Sequence, residues 1–234
     1  MSHYSSIATC RFSHPSLLAR ELMPRRGLGG GGFTLLELLT VIAVIGLLAA
    51  MLFPALRSSR VAANQARTKV QFSQWAAALE GFRSEYGYYP AFDATALVNG
   101  GATSAITGDH LFHDILAGRK RDGSALLPSG PAATQNRKLI GFYSFSDADF
   151  TPASSPTPNL LRDAFDNTAI AVLVDKNLDG VIQVGSDYPA LPAVNGLVPG
   201  ALDFPATGVR AGVIFYAMAP GADAANPGFI FSWK

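Results

Sequence analysis

The stretch that decides the fold runs from Phe33 to Leu56 and reads FTLLELLTVIAVIGLLAAMLFPAL. It carries a single charge, at Glu37. As an α-helix this run would extend about 36 Å, which is enough to cross a hydrocarbon core of about 30 Å. Because an apolar run of this length is rare inside a soluble core, the sequence predicts a membrane-spanning helix.

Three interpretations of this segment differ in the role that they give to Glu37. A cleaved secretory signal has a basic start, a shorter apolar stretch and a small-residue cut site, for which 48–50 is a candidate. The apolar run continues past that site, and a carboxylate fits poorly in it. A plain membrane anchor leaves Glu37 unexplained, although an acidic side chain in a spanning helix points to a function. In the third interpretation the chain is cut between Gly32 and Phe33, so that Glu37 becomes the fifth residue of a new amino terminus.

The residues around this junction resemble the class III leader and amino-terminal segment of type IV pilins and type II secretion pseudopilins. The resemblance rests on the cleavage position, the residues after it, a helix glycine and a kinking proline, which are Gly32, Phe33, Thr34–Leu38, Gly46 and Pro54. In that family a prepilin peptidase cuts after the glycine and methylates the new amine. The resemblance therefore implies cleavage after Gly32, N-methylation of Phe33 and an assembly role for Glu37. A buried carboxylate needs a partner, and the new amine of a neighbouring subunit would supply the opposite charge.

The leader has two candidate lengths. Counted from Met1 it holds 32 residues, which is longer than the family usually carries, whereas a start at Met23 leaves the ten-residue leader MPRRGLGGGG. A mis-assigned start over residues 1–22 would explain the difference. Basic residues stand on both sides of the apolar run, so the charge count does not fix its orientation. The resemblance implies a single-pass inner-membrane protein with its head in the periplasm, later assembled into a periplasmic or surface filament.

The helix is predicted to continue beyond its transmembrane half, residues 33–56, into a head-packing half, residues 57–90. No helix breaker appears between Pro54 and Gly81, and the proline should bend the helix. Apolar residues spaced by three and four form one stripe, consisting of Phe72, Trp75, Leu79, Phe82 and Tyr86. We expect one helix from Phe33 to near Tyr86 whose stripe packs on the protein's own sheet, with a coiled-coil partner as the alternative.

Residues 91–234 are predicted to form a globular head. Residues 91–160 are rich in small and turn-forming residues and are expected to be mostly loop, with one short helix at 110–116 and solvent-exposed histidines at His110 and His113. Residues 161–234 are expected to carry an antiparallel sheet, because no helical pattern separates the last four strand candidates. The five candidates are Leu139–Phe145, Thr168–Val174, Gly180–Val184, Val209–Ala217 and Gly228–Trp233. The fold class is therefore α+β, and one long helix packed on such a sheet is pilin-like.

A candidate calcium loop begins at Asp175. Asp175, Asn177, Asp179 and Gly180 fit the first half of the D-x-[DN]-x-[DN]-G pattern, in which alternate oxygen side chains converge on one cation. The twelfth position is a serine, with Asp187 one step later as a weaker ligand. The alternative is a hairpin turn between two strands, because Asn and Asp-Gly also form turns. Pseudopilins often bind calcium elsewhere, in a loop that here (223–228) holds a single carboxylate.

Composition narrows the class of protein. The 18 basic and 17 acidic residues give a net charge of +1, which argues against a protein that coats nucleic acid. A single cysteine, Cys10, excludes an internal disulfide framework and a cysteine-rich zinc site. No catalytic motif emerges, so we expect a structural protein rather than an enzyme. The expected partners are prepilin peptidase, copies of the chain itself, minor pseudopilins and an inner-membrane assembly platform.

The sequence thus predicts a filament subunit, closest to the major pseudopilins of type II secretion. A type IV pilin for adhesion, motility or DNA uptake is the nearest alternative, although the chain lacks the carboxy-terminal cysteine pair of the usual type IV pilin. A membrane-anchored calcium-binding module that never polymerises is an alternative of a different class.

Overall fold

The computed structural model describes Gly32 and residues 34–234, with 52–55 described by their backbone alone. The chain divides into two compact units, with the boundary between Ala49 and Ala50. Helix α1 (Leu35–Tyr86) begins in the first unit and ends in the second. The predicted long helix and its end at Tyr86 are confirmed, while the bend at Pro54 stays a prediction.

In the first unit, α1 exposes its apolar side chains. The large apolar residues between positions 35 and 48 have exposed fractions from 47% at Val41 to 82% at Leu35. Of the described residues, only those of α1 form a helix long and apolar enough to cross a membrane. A helix suits that setting because all its backbone groups are hydrogen-bonded within one segment.

The second unit is built around a three-stranded antiparallel sheet in the order β1-β2-β3, formed by β1 (Ile170–Val174), β2 (Val213–Met218) and β3 (Phe229–Phe231). In the register of the sheet, Val172 lies opposite Phe215 and Tyr216 lies opposite Phe231. Both faces of the sheet are covered, so β1 is buried along its whole length. This explains why β1 reads as a continuous apolar run rather than an alternating one.

The apolar stripe of α1 packs on one face of this sheet. The Phe72 ring stacks on Phe215 with centroids 5.5 Å apart, and Trp75 lies 5.7 Å from the same ring. Phe72, Trp75, Leu79 and Phe82 are fully buried. The expectation that the stripe packs on the protein's own sheet is therefore confirmed for Phe72, Trp75 and Leu79. Phe82 belongs to a separate apolar cluster with residues of the shorter helices.

Two short helices lie between α1 and the sheet in sequence, α2 (Leu111–Ala117) and α3 (Pro131–Gln135). Helix α2 confirms the short helix predicted at 110–116. The expectation of solvent-exposed histidines is wrong, because His110 is 3% exposed and His113 is 5% exposed. The His113 Nδ1 lies 2.8 Å from the Asp114 carboxylate, and the His110 Nε2 lies 3.1 Å from a backbone carbonyl. These two ring nitrogens find partners inside the head, whereas the His110 Nδ1 is buried without a hydrogen-bond partner among the described residues.

Two of the five strand candidates do not form strands. The Ile140 backbone exchanges two hydrogen bonds with the buried Asn136 side chain, and Leu139 has a positive φ of 52°. Residues 180–184 contribute only an isolated bridge between Ile182 and Val209. The alternative interpretation of the calcium loop, a hairpin turn between strands at 168–174 and 180–184, is also wrong, because β1 pairs with β2 instead. The other three candidates correspond to β1, β2 and β3, and β2 ends one residue beyond its candidate, at Met218.

A tight turn at residues 163–167 connects α1 to the sheet. The Asp163 carboxylate accepts hydrogen bonds from the backbone N–H groups of Phe165 (2.8 Å) and Asn167 (2.9 Å). The Asn167 amide donates both to Asp163 and to the Met218 carbonyl at the end of β2. On the other side, the Ala164 N–H donates to the Thr68 hydroxyl of α1. The turn therefore fixes the distance between helix and sheet.

Candidate functional site

The candidate assembly site lies at the amino-terminal end of α1. Gly32 is exposed, and Phe33 lies outside the described residues. Glu37 is in the first turn of α1, and its carboxylate accepts hydrogen bonds from the Thr34 N–H (2.8 Å) and the Thr34 hydroxyl (2.9 Å). The Thr34 hydroxyl in turn accepts a hydrogen bond from the Glu37 N–H at 3.2 Å.

These reciprocal bonds form a capping box, in which Thr34 is the cap and Glu37 the third helical residue. This capping box is not among the sequence predictions, although the pattern T-x-x-E before an apolar run is its usual signal. Two of the four unpaired N–H groups at the start of the helix are satisfied in this way. Glu37 therefore has a role in the single chain that is separate from any role between subunits.

The candidate calcium loop begins and ends at a buried carboxylate, Asp175 at its start and Asp187 at its end. Asp175 is 1% exposed and accepts hydrogen bonds from the backbone N–H groups of Asp179 (3.2 Å) and Gly180 (2.7 Å). Gly180 has a φ of 85°, which a residue with a side chain adopts only with strain. Asp175 thus holds the first turn of the loop closed.

Asp187 closes the loop from its other end. It is 6% exposed, and its carboxylate accepts hydrogen bonds from the backbone N–H groups of Lys176 (3.0 Å) and Gln183 (2.9 Å). Asp187 was only a weak candidate ligand in the linear motif, yet it contacts both halves of the loop. Its place at the loop depends on the chain turning back after Gly185, which a linear motif does not encode.

The two remaining candidates, Asn177 and Asp179, lie on the exposed side of the loop. The Asn177 amide donates hydrogen bonds to the Asp179 carboxylate (3.0 Å) and to the Ser186 hydroxyl (2.9 Å). Across residues 34–234, no three His, Cys, Asp or Glu side chains are arranged as a metal-binding group. The described loop is a hydrogen-bonded turn rich in oxygen atoms, and calcium binding stays a prediction.

The donor chemistry of this loop nevertheless suits a hard cation. No lysine or arginine of the described residues forms an ion pair with Asp175 or Asp187. The nearest cationic side chain along the loop, Lys176, instead places its ammonium 3.7 Å from the centre of the Tyr188 ring. Carboxylate and amide oxygens are the ligands that calcium prefers.

The loop at 223–228 presents a single carboxylate, as expected from the sequence. The Asp223 side chain accepts hydrogen bonds from the backbone N–H groups of Ala225 (2.9 Å) and Asn226 (2.7 Å). These bonds close a short exposed turn before β3. Asp223 therefore has a structural role in its own turn.

Comparison of the chain with protein-family models, with curated proteins and with solved structures finds no match. Its function therefore has to be inferred from its own residues. Two features carry that inference: the apolar segment of α1 with its single carboxylate, and the loop between Asp175 and Asp187.

Proposed function

We propose that this chain is the structural subunit of a type II secretion pseudopilus or of a related type IV pilus-like filament. The observation that carries the proposal is the division of α1 into two chemically different parts. Its first part exposes apolar side chains and one carboxylate, while its second part supplies the core of a folded head. A helix that is exposed and apolar at one end needs a lipid or protein environment there.

A filament subunit uses both environments in turn. The apolar part of α1 first lies in the inner membrane and then in the filament core, surrounded by the same part of neighbouring subunits. Burial of the charged Glu37 carboxylate is energetically unfavourable in either setting unless an opposite charge pairs with it. The new amine of Phe33 on a neighbouring subunit, exposed by cleavage after Gly32, would be that charge. Prepilin peptidase, minor pseudopilins and an inner-membrane assembly platform would be the partners.

The test is the chemical state of the mature amino terminus. The full chain is expressed together with a prepilin peptidase, and the membrane fraction is analysed by mass spectrometry. We expect a chain that begins with N-methyl-Phe33, and we expect Gly32→Val to block cleavage while Gly31→Val leaves it unchanged. An uncut chain in the presence of an active peptidase would contradict the proposal and favour an anchored module that never polymerises.

A deletion strain then separates the two kinds of filament. Loss of protein secretion with normal surface pili would identify a type II secretion subunit. Loss of adhesion, motility or DNA uptake with normal secretion would identify a type IV pilin. We favour the secretion pseudopilus, because the stretch Tyr216–Asp223 and the closing Ser232-Trp233 resemble the end of a major pseudopilin.

We also propose that the loop from Asp175 to Asp187 binds calcium. The observation in favour is the pair of buried carboxylates that form no ion pair with a lysine or arginine of the described residues. Asp175 and Asp187 would hold the ion together with the exposed oxygens of Asn177 and Asp179. The bound ion would offset the negative charge of the loop and stabilise the head.

Calorimetric titration of the full chain in detergent with calcium chloride tests this site. We expect saturable binding and a rise in the unfolding temperature of about 2–4 °C per kcal/mol of stabilisation for a chain of this size. Asp179→Ala should abolish binding without unfolding the head, because Asp179 is exposed. Asp223→Ala, in the other loop, is the matched control and should bind normally. Absence of heat with the wild-type chain would remove the site.

A further inference from the structure

The second unit begins with a basic helical face that the proposed function does not use. Arg57, Arg60 and Arg67 are exposed on α1 shortly after the apolar run ends at Leu56. At 3.6 residues per turn, these three positions lie within about 80° of one another around the helix axis. They therefore form one basic face, which we call the arginine face.

No acidic residue balances this face within the helix. Between Glu37 and Glu80 the sequence contains no Asp or Glu. Within the described part of the chain, no carboxylate lies within ion-pair distance of Arg57, Arg60 or Arg67. By contrast, Lys69 on the same helix donates a hydrogen bond to the Lys234 backbone carbonyl. The arginine face thus presents guanidinium groups to whatever surrounds this part of the helix.

We propose that Arg57 and Arg60 bind the phosphate groups of anionic phospholipids, an inference that rests on the proposed membrane insertion of α1. The helix rises about 1.5 Å per residue, so Arg57 and Arg60 lie within about 6 Å of the end of the apolar run. That distance matches the headgroup layer, which extends about 5–7 Å beyond the hydrocarbon core on each side. Guanidinium groups recognise phosphate oxygens in pairs, and each basic side chain near an anionic surface contributes about fivefold in affinity.

The position of Arg67 provides a control on the same face. It lies about 15 Å further along the helix than Arg57, beyond the headgroup layer and beyond about one Debye length at physiological salt. Arg57 and Arg60 should therefore contact lipid, and Arg67 should not. The contact would hold the subunit at a fixed depth in the membrane until assembly extracts it.

The experiment measures lipid retention by the full chain. The protein is reconstituted in nanodiscs of phosphatidylcholine with or without phosphatidylglycerol, and native mass spectrometry counts the lipids that remain bound. We expect the wild type to prefer phosphatidylglycerol. The double substitution Arg57→Gln with Arg60→Gln should reduce the preference by about tenfold or more, while Arg67→Gln keeps it. Excess inorganic phosphate, at an ionic strength matched with chloride, should not compete.

Four outcomes would overturn the inference. Three of them are an unchanged preference in the double variant, equal competition by free phosphate, and a loss of self-association in the double variant with normal lipid retention. The last result would assign the arginine face to a contact with a second copy of the chain. A wild-type chain recovered outside the membrane fraction would instead contradict the proposed function. A chain that inserts but shows no preference for anionic lipid would contradict this inference alone.

Discussion

At the scale of single residues, Asp163 shows how one buried carboxylate organises a connection. It is 4% exposed and accepts three hydrogen bonds, two from backbone N–H groups and one from the Asn167 amide. These bonds favour the ionised form, but burial disfavours it more strongly and raises the pKa of Asp163 above its usual range. The turn between helix and sheet is thus held by a group whose charge is itself unfavourable.

The raised pKa predicts a definite pH dependence of stability. Because the folded chain binds the Asp163 proton more tightly than the unfolded chain, this group's contribution to stability is fully present below pH 3.8, the pKa of an ordinary aspartate. That contribution falls as the pH rises through the folded-state pKa. Asp163→Asn stays neutral at every pH, so its free energy of unfolding should improve relative to the wild type between pH 4 and pH 7, as measured by denaturant titration.

The substituted amide also places an N–H group opposite the Asn167 amide, a cost that is the same at every pH. Only the slope of the difference with pH therefore tests the prediction. Asn167→Ala is the control, since it removes the side-chain bond and keeps the carboxylate, and it should retain the wild-type slope or steepen it. Parallel pH profiles for the wild type and Asp163→Asn would contradict the argument.

At the scale of elements, the sequence specified those parts of the fold that are set by local periodicity. The spacing of Phe72, Trp75, Leu79 and Phe82 predicted both the helix and its buried face, and two β-branched runs predicted the strands β1 and β2. Residues 139–145 have a similar composition but form no strand. Their backbone is used by the end of α2, since Phe142 and Tyr143 both donate to the Leu116 carbonyl. Such competition between partners depends on tertiary structure and leaves no mark in a short apolar run.

At the candidate site, too, local features could be predicted from the sequence and features that depend on tertiary packing could not. The linear pattern at Asp175 predicted a closed loop with a glycine turn, while the buried histidines beside Asp114 depend on how α2 packs. A seven-residue helix has too few positions to show which face will be covered. The capping box at Thr34 and Glu37 was readable from the sequence, because its residues are local.

The contact between the end of α1 and the start of β2 gives a prediction at this scale. A Cβ atom on Gly212 would lie 1.9 Å from the Tyr89 hydroxyl and 2.4 Å from the Glu80 carboxylate. The Tyr89 hydroxyl donates to Glu80 at 2.6 Å, and burial raises the pKa of Tyr89 to about 12, so it remains a donor at neutral pH. Gly212→Ala should therefore lower the free energy of unfolding by about 1–3 kcal/mol, measured by denaturant titration.

Gly200→Ala is the matched control for this substitution. A Cβ atom there meets nothing within 4 Å, and Gly200 does not have a positive φ. It should be neutral or stabilising by up to about 1 kcal/mol, because alanine restricts the unfolded chain. Adding Tyr89→Phe to Gly212→Ala should restore part of the lost stability by removing the clashing hydroxyl. Equal stability of the two alanine variants would show that the start of β2 is not closely packed against Tyr89.

At the scale of the whole molecule, the charges on either side of Gly32 differ in sign, so that the proposed cleavage would change the net charge of the chain. Residues 1–32 hold four arginines and one glutamate, so cleavage after Gly32 would remove a net charge of +3 and also Cys10. The remaining chain would have 14 basic and 16 acidic residues, with its first acidic residue at Glu37. A near-neutral precursor would thus become a slightly acidic exported subunit without a thiol.

Glu37 has two roles to separate. It caps its own helix, and it is proposed to pair with a neighbouring subunit. Two substitutions separate the roles. Glu37→Gln keeps a side-chain oxygen for the capping box and removes the charge, whereas Glu37→Leu removes both. If the charge sets the register of subunits, both variants should be cleaved after Gly32 but fail to form filaments. Loss of one partner from a buried ion pair costs about 3–5 kcal/mol.

Filament yield, measured by electron microscopy and by cross-linking in a strain with its assembly machinery, tests this prediction. Thr40→Val is the control in the same apolar segment, since it removes only a hydrogen bond from the Thr40 hydroxyl to the Glu37 carbonyl and should assemble normally. Normal filaments from Glu37→Gln but not from Glu37→Leu would assign Glu37 to the cap alone. Normal filaments from both variants would exclude either role in assembly, and the negative charge in the apolar segment would then need another explanation.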